Sequence, residues 1–199
     1  EPRVRRDRQF LARAFTKLLL NFTWWVNRKD AEGQHLFSGG FLGLDNIGVF
    51  DRSAALPTGG SLEQADGTAW MALFSQNMLE IAIELATHRP AYEPMVVKFV
   101  QHFLLIAAAM DRPGVHADEL WDEDDGFFYD VIRFPDGAAR RLKVRSMVGL
   151  LPLAAVTVIS EEAVQRFPEA IARIRDFGAR HPELADVVAT VAVPGVAGR

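Results

Sequence analysis

Cysteine is absent from the 199 residues, which excludes disulfides, thiolate metal sites and cysteine nucleophiles together. Long apolar runs are missing as well. The longest, Phe103 to Met110 and Val148 to Ile159, fall short of the roughly 20 residues a membrane span needs, and Pro152 interrupts the second, so no membrane partner is expected. Nor is there an excess of positive charge. A net charge of −4 and a pI near 5.7 offer nothing to attract nucleic acid or an anionic membrane, and the basic group Arg3, Arg5, Arg6 and Arg8 is broken by Asp7. The chain opens Glu1-Pro2-Arg3, with no initiator Met and no basic stretch leading into an apolar one. No signal peptide is visible in a sequence whose N-terminus is taken as missing, and the absence of cysteine sets the expectation of a cytoplasmic compartment.

What is present is ordinary globular material, 49% hydrophobic and 24% charged, and enough to bury a core. Apolar residues at Phe10, Leu11, Ala14, Phe15, Leu18, Leu19, Phe22 and Trp25 follow the spacing of an amphipathic helix from Arg5 to about Trp25. Residues 27–60 lose that period, carry seven glycines, and read as a long loop of the kind that is usually functional. Ser61 and Gln64 have capping-box spacing ahead of a helix to Ala86 that is apolar on nearly every face, and Met95 to Met110 repeats the pattern.

Beyond an acidic turn at 118–125, the aromatic and β-branched stretch 127–134, the turn Pro135-Asp136-Gly137 and the segment 141–144 predict a small hairpin. A helix over 148–159 and another, capped by Ser160, to about Gly178 complete the reading. Helices apolar all round fit a two-layer toroid of helix pairs better than a four-helix bundle, so the expected fold class is all-α.

Chemistry centres on the loop from Gly39 to Ser53. A carboxylic acid that donates a proton to a leaving oxygen needs a raised pKa, and Phe41, Leu44 and Phe50 would provide it by desolvating Asp45; an Asx-turn role is the alternative. Asp51, beside Arg52, reads more simply as a turn or ion-pair residue. Trp70 suits either a sugar platform or the core, Trp25 the core, and Trp24 either. The cluster Asp122 to Asp125 with Gly126 fails EF-hand spacing, because Trp121 and Ile132 would take the first and twelfth positions. The five histidines are scattered, so neither metal nor cofactor is expected.

The block Gly43-Leu44-Asp45-Asn46 through Phe50-Asp51 resembles one found in glycoside hydrolase family 63 and its mannosylglycerate-hydrolase-like relatives, which include mannosyl-oligosaccharide glucosidases and bacterial α-glucosidases. The resemblance continues, in order, through Leu62 to Trp70, Leu120-Trp121-Asp122, Asp125 to Asp130, Lys143 to Ser146 and Gly149 to Leu153. Phe41-Leu42 and Ile47-Gly48 depart from the glutamate and serine-proline frequent in the family.

The resemblance implies a partial (α/α)6 barrel occupying residues 1–199, truncated at both ends, with the hairpin near 126–144 as an insertion. It implies inverting hydrolysis of α-glucosidic bonds in oligosaccharides or small glucosides. Asp45 would be the general acid. The base, a downstream glutamate, would lie in the remainder of the same polypeptide. It further implies substrate binding by Gly43, Asn46, Phe50, Asp51, Gln64 and Asp66, with Trp70 one turn beyond, although Asp66 also suits a helix start for dipole reasons alone. A noncatalytic helical scaffold or carbohydrate-binding module is the competing expectation, and a sugar isomerase on a similar toroid the third.

Overall fold

The computed structural model describes residues 7–27, 33, 35–38, 44, 46–110 and 119–185. Its first helix, α1 (Arg8–Val26), starts where Asp7 accepts the Phe10 N–H at 2.9 Å, three residues later than periodicity suggests. An N-cap carboxylate satisfies one of the orphan donors of the first turn, and that fixes the boundary.

The capping box expected at Ser61 and Gln64 does not form. Ser61–Glu63 is instead a strand, β1, and α2 (Ala65–Ala86) begins after it with no cap from the Gln64 side chain. The cap comes from far along the chain, because Asp130 accepts the Ala65 N–H at 2.9 Å. Helix α3 (Glu93–Met110) follows a 3-10 turn at Pro90–Tyr92. The stretch Pro90–Met110 is, by length and composition, apolar enough to cross a bilayer, yet it packs on α2 and, at its other side, on α5 (Pro168–Arg180), as the core helix of a globular unit does.

The all-α expectation is overturned. Two antiparallel sheets stand among the helices: a two-stranded one from β2 (Trp121–Asp122) and β3 (Phe127–Phe128), and a three-stranded one in the order β1-β4-β5, where β4 is Asp130–Arg133 and β5 is Ala139–Leu142. The result is a mixed helix-and-sheet unit rather than a segment of an (α/α)6 barrel. The hairpin of β4 and β5 does not stand alone as an insertion, because β1 pairs along β4 with Ser61 opposite Arg133 and Glu63 opposite Val131. Glu63 and Arg133, diagonal neighbours in that register, form a bidentate ion pair at 2.8 and 3.2 Å.

The helix expected over 148–159 is a 3-10 run, Met147–Ala154, followed by extended chain. Pro152 supplies no N–H and disfavours the helical conformation of the residue before it, so no α-helix can settle there. Pro168 acts likewise at the next boundary. The single helix expected from Ser160 is split into α4 (Glu161–Arg166), capped by the Ser160 hydroxyl at 3.2 Å, and α5.

The core lies where α1, α2 and α3 meet. Phe22, fully buried, meets Phe74 of α2 and Phe99 of α3 edge-to-face at 5.3 and 5.1 Å, and Phe15 meets Phe99 at 6.0 Å. Each such ring contributes about 1.5–3 kcal/mol through burial, and edge-to-face geometry adds to it.

Candidate functional site

Asp45 and Gly43, the centre of the expected site, lie outside the described residues. Of their neighbours in sequence, Leu44 and residues 46–53 are described, and among these Leu44 and Arg52 meet at one buried guanidinium that residue-by-residue reading did not single out. Arg52, only 7% exposed, uses all five of its guanidinium N–H donors. Its Nε donates to Asp130 Oδ2 at 2.7 Å and Nη2 to Asp130 Oδ1 at 3.2 Å. Nη1 donates to Asp66 Oδ2 at 3.0 Å, and Nη2 to Asp66 Oδ1. The fifth donor, on Nη1, reaches the Leu44 carbonyl at 3.1 Å.

Each partner is itself held. Asp66, in the first turn of α2 and 1% exposed, also accepts the Gly67 N–H at 2.8 Å. Asp130, at the head of β4, caps α2 through Ala65. Gln64, fully buried, donates its carboxamide Nε2 to the Arg52 carbonyl at 2.8 Å. Phe37 is pinned to the same helix start by reciprocal hydrogen bonds with the Thr68 hydroxyl. The guanidinium thus joins the start of α2, the head of β4 and the Leu44 carbonyl, while Gln64 and Thr68 hold the Arg52 carbonyl and Phe37 to the same helix start.

Electrostatics follow from that count, two carboxylates around one cation. Burial works to lower the Arg52 pKa, but hydrogen bonding to Asp66 and the charges of Asp130 and Asp66 outweigh it, so the guanidinium is held above its usual value. Burial pushes the Asp130 carboxyl up. The Arg52 charge and the Ala65 N–H pull it back incompletely, and the neighbouring Asp66 charge adds to the rise. Phe50, half-buried, lines a small space of about 20 Å³ with Arg52, Tyr129 and Asp130, room for one water.

Asn46 and Asp51, also expected to bind substrate, are both exposed. Asn46 stands in the turn that follows Asp45. Asp51 Oδ1 accepts the Ser53 N–H at 2.9 Å and the Ser53 hydroxyl at 2.8 Å. Those bonds, the backbone one foremost, lower its pKa. Its neighbour Arg52 pairs with Asp66 and Asp130 rather than with it.

Trp70, 40% exposed on the second turn of α2, faces a cleft of about 540 Å³ between α1 and α2. Leu18, Asn21 and Trp25 line one side of the cleft, and Phe74 and Asn77 accompany Trp70 on the other; no charged residue lines it among the described residues. Trp24, 49% exposed, stands edge-to-face with Trp25 at 4.6 Å, so three of the four tryptophans gather at these two helices.

No protein-family model and no solved structure matches the chain. It is similar to the uncharacterized protein YMR196W of Saccharomyces cerevisiae, with 49% identity over 207 residues, spanning 98% of this chain and 19% of that protein. The chain therefore covers about a fifth of the relative's length. That relative's name assigns no activity.

The acidic turn is occupied by ion pairs. Asp122 accepts from Lys143 at 2.8 Å and from Arg141 at 3.1 Å, and Asp125 meets Lys143 at 3.2 Å and Arg145 at 3.1 Å. Among the described residues no group of three or more histidines and carboxylates is placed to hold a metal. Two partners of Arg52 were visible in sequence, Asp66 and, inside the block Asp125 to Asp130, Asp130; what no spacing reveals is that residues 52, 66 and 130 meet.

Proposed function

We propose that this chain forms part of a glycoside hydrolase acting on α-glucosidic bonds with inversion, in which Asp45 is the general acid and the general base lies outside these 199 residues. The observation that carries the reading is the uncharged cleft between α1 and α2. Its volume falls in the roughly 300–1,000 Å³ range of small-molecule sites. Its indoles, Trp25 and Trp70, offer apolar faces to the C–H surface of a pyranose, while the exposed carboxamides of Asn21 and Asn77 offer both donors and acceptors to hydroxyls. Trp25 stands in the last turn of α1 and Trp70 in the second turn of α2, the turns that border the connection carrying Asp45.

In this reading the acid protonates the departing glycosidic oxygen while a second carboxylate activates water on the opposite face of the sugar. Asp66 and Asp130 are committed to Arg52 and serve as framework. The test is hydrolysis of p-nitrophenyl α-D-glucoside and maltose by the full-length polypeptide and by its Asp45→Asn variant. Loss of maltose hydrolysis in the variant supports the assignment, and undiminished turnover removes Asp45 from the mechanism. Binding of maltose without hydrolysis by the unaltered protein favours a carbohydrate-binding role instead.

A further inference from the structure

The chain that leaves the 3-10 run is held to α2 at two points. Gln76 donates its carboxamide Nε2 to the Ala155 carbonyl at 2.9 Å, and the Thr157 hydroxyl donates to Glu80 Oε1. Four residues of helix rise about 6 Å and two residues of extended chain span about 6.6 Å, so joining 76 to 155 and 80 to 157 makes the segment run extended along the helix. Ala155 packs against the core, whereas Val156 and Val158 are 71% and 90% exposed, with the half-buried Thr157 between them. That alternation is a strand's, in β-branched residues that favour one. Yet among the described residues no backbone amide or carbonyl from Val156 to Ile159 has a hydrogen-bond partner.

Unpaired backbone groups beside exposed valines form a template for another strand, and folded proteins blunt such edges with charge, with proline or with a cover. Residues 155–159 carry neither charge nor proline, and the exposed Leu150 and Leu153 lengthen the apolar strip. We propose that this edge is completed by β-strand addition, and that the added strand comes from the part of the same polypeptide outside these 199 residues. Main-chain hydrogen bonds join it to alternate residues of 156–159, and its apolar side chains lie against Val156 and Val158. Two observations choose the source. The yeast relative matches 98% of this chain, which spans about a fifth of that protein's length, so most of a polypeptide of that kind lies beyond the segment. A five-residue edge is also far smaller than the roughly 800 Å² per partner that separate molecules bury in a stable complex, whereas a segment of the same polypeptide is already tethered. The proposal holds whatever reaction the whole polypeptide catalyses.

The experiment uses the full-length polypeptide. Residue-resolved hydrogen–deuterium exchange of 155–160 is followed by mass spectrometry, and a photo-crosslinking side chain placed at position 158 reports what lies against it. The expected result is alternating protection: the amides of 156 and 158, or those of 157 and 159, exchange about a hundredfold or more slowly than unstructured chain, and the other pair exchanges freely. The crosslink is expected within one polypeptide, to a residue outside these 199. Val158→Lys, harmless to a side chain that stays in water, should speed exchange of the protected pair about tenfold or more, while Val158→Ile, apolar and β-branched, keeps the protection. Exchange at the unstructured rate throughout 156–159, or equal protection of all four amides, overturns the proposal. So does a crosslink to a second copy or to a residue within the 199, and so does a Val158→Lys variant whose exchange matches that of the unaltered protein.

Discussion

Arg52 and Asp130, separated by 78 residues of chain, meet in the interior with Nε 2.7 Å from Oδ2. That pair, with Asp66 completing it, ties β4 and the start of α2 to residue 52, and its removal is expected to be felt throughout the unit.

Arg52→Met leaves two buried carboxylates without their cation. Breaking one side of a buried pair costs about 3–5 kcal/mol, because the remaining charge is stranded rather than because the pair itself stabilises so strongly. Urea denaturation at neutral pH should show the midpoint falling accordingly, and a change within experimental error would show that water reaches and satisfies the two acids.

Gly149→Ala should destabilise the protein by roughly 1–3 kcal/mol through overpacking. A Cβ there would lie 2.1 Å from the Phe128 carbonyl oxygen and 2.2 Å from the Phe127 ring, where the 3-10 run crosses β3. Gly60→Ala meets the Arg133 carbonyl oxygen at 1.9 Å and also needs a φ of +79°, so it should be at least as damaging. Thermal melts of the two variants check both; a wild-type Tm in either contradicts the contact.

Phe22→Ala is expected to cost about 3–5 kcal/mol, since the ring is fully buried between Phe74 and Phe99. Trp70→Ala, at the cleft, should cost markedly less in stability but weaken maltose binding, as followed by intrinsic tryptophan fluorescence. Equal losses of stability would place Trp70 among the core residues in energetic terms.

Acid should weaken the ion-paired turn that joins β2 and β3. A hydrogen bond from Lys143 first, and for Asp125 one from the Tyr129 hydroxyl, hold Asp122 and Asp125 below their ordinary values. Their stabilising contribution is present above the unfolded value near ~3.9 and is lost as pH falls through the lowered folded value. Asp130, raised by burial, has the opposite sign: the native state takes up its proton more readily, so its contribution improves as pH falls toward the unfolded value. Asp122→Asn should therefore reduce stability at neutral pH and make the decline in acid shallower, as measured by denaturant midpoints across the two pH ranges.

Sequence periodicity located α1, α2 and α3 because each keeps a continuous apolar pattern, with the one proline, Pro94, confined to the first turn of α3 where its missing N–H costs nothing. It failed at Ser61–Glu63, where a local capping signal competed with strand pairing to residues 131–133 and lost. The sheet that replaced the expected all-helical architecture depends on that pairing, which no local window contains. At the candidate site, Asp66, Gln64 and Trp70 were legible as types of residue at a helix start. Their different destinations, two into the Arg52 junction and one to an open cleft, follow from burial and from partners remote in sequence. Arg52 itself was overlooked because it stands beside Asp51, and adjacency suggested a pairing that the Asx turn with Ser53 replaces.

The borrowed cap of α2 carries a consequence for how the chain comes to be folded. As the polypeptide emerges from a ribosome, the N-terminal turn of α2 has its hydrophobic residues at hand but must wait for residue 130 before its first backbone amide is satisfied, and Arg52 must wait equally long for its second counter-ion. Closure of such distant pairs is slow compared with helix formation. Ribosome-stalled chains ending shortly before residue 130 should therefore be cut readily by protease near Ala65, and chains extending well past it should resist.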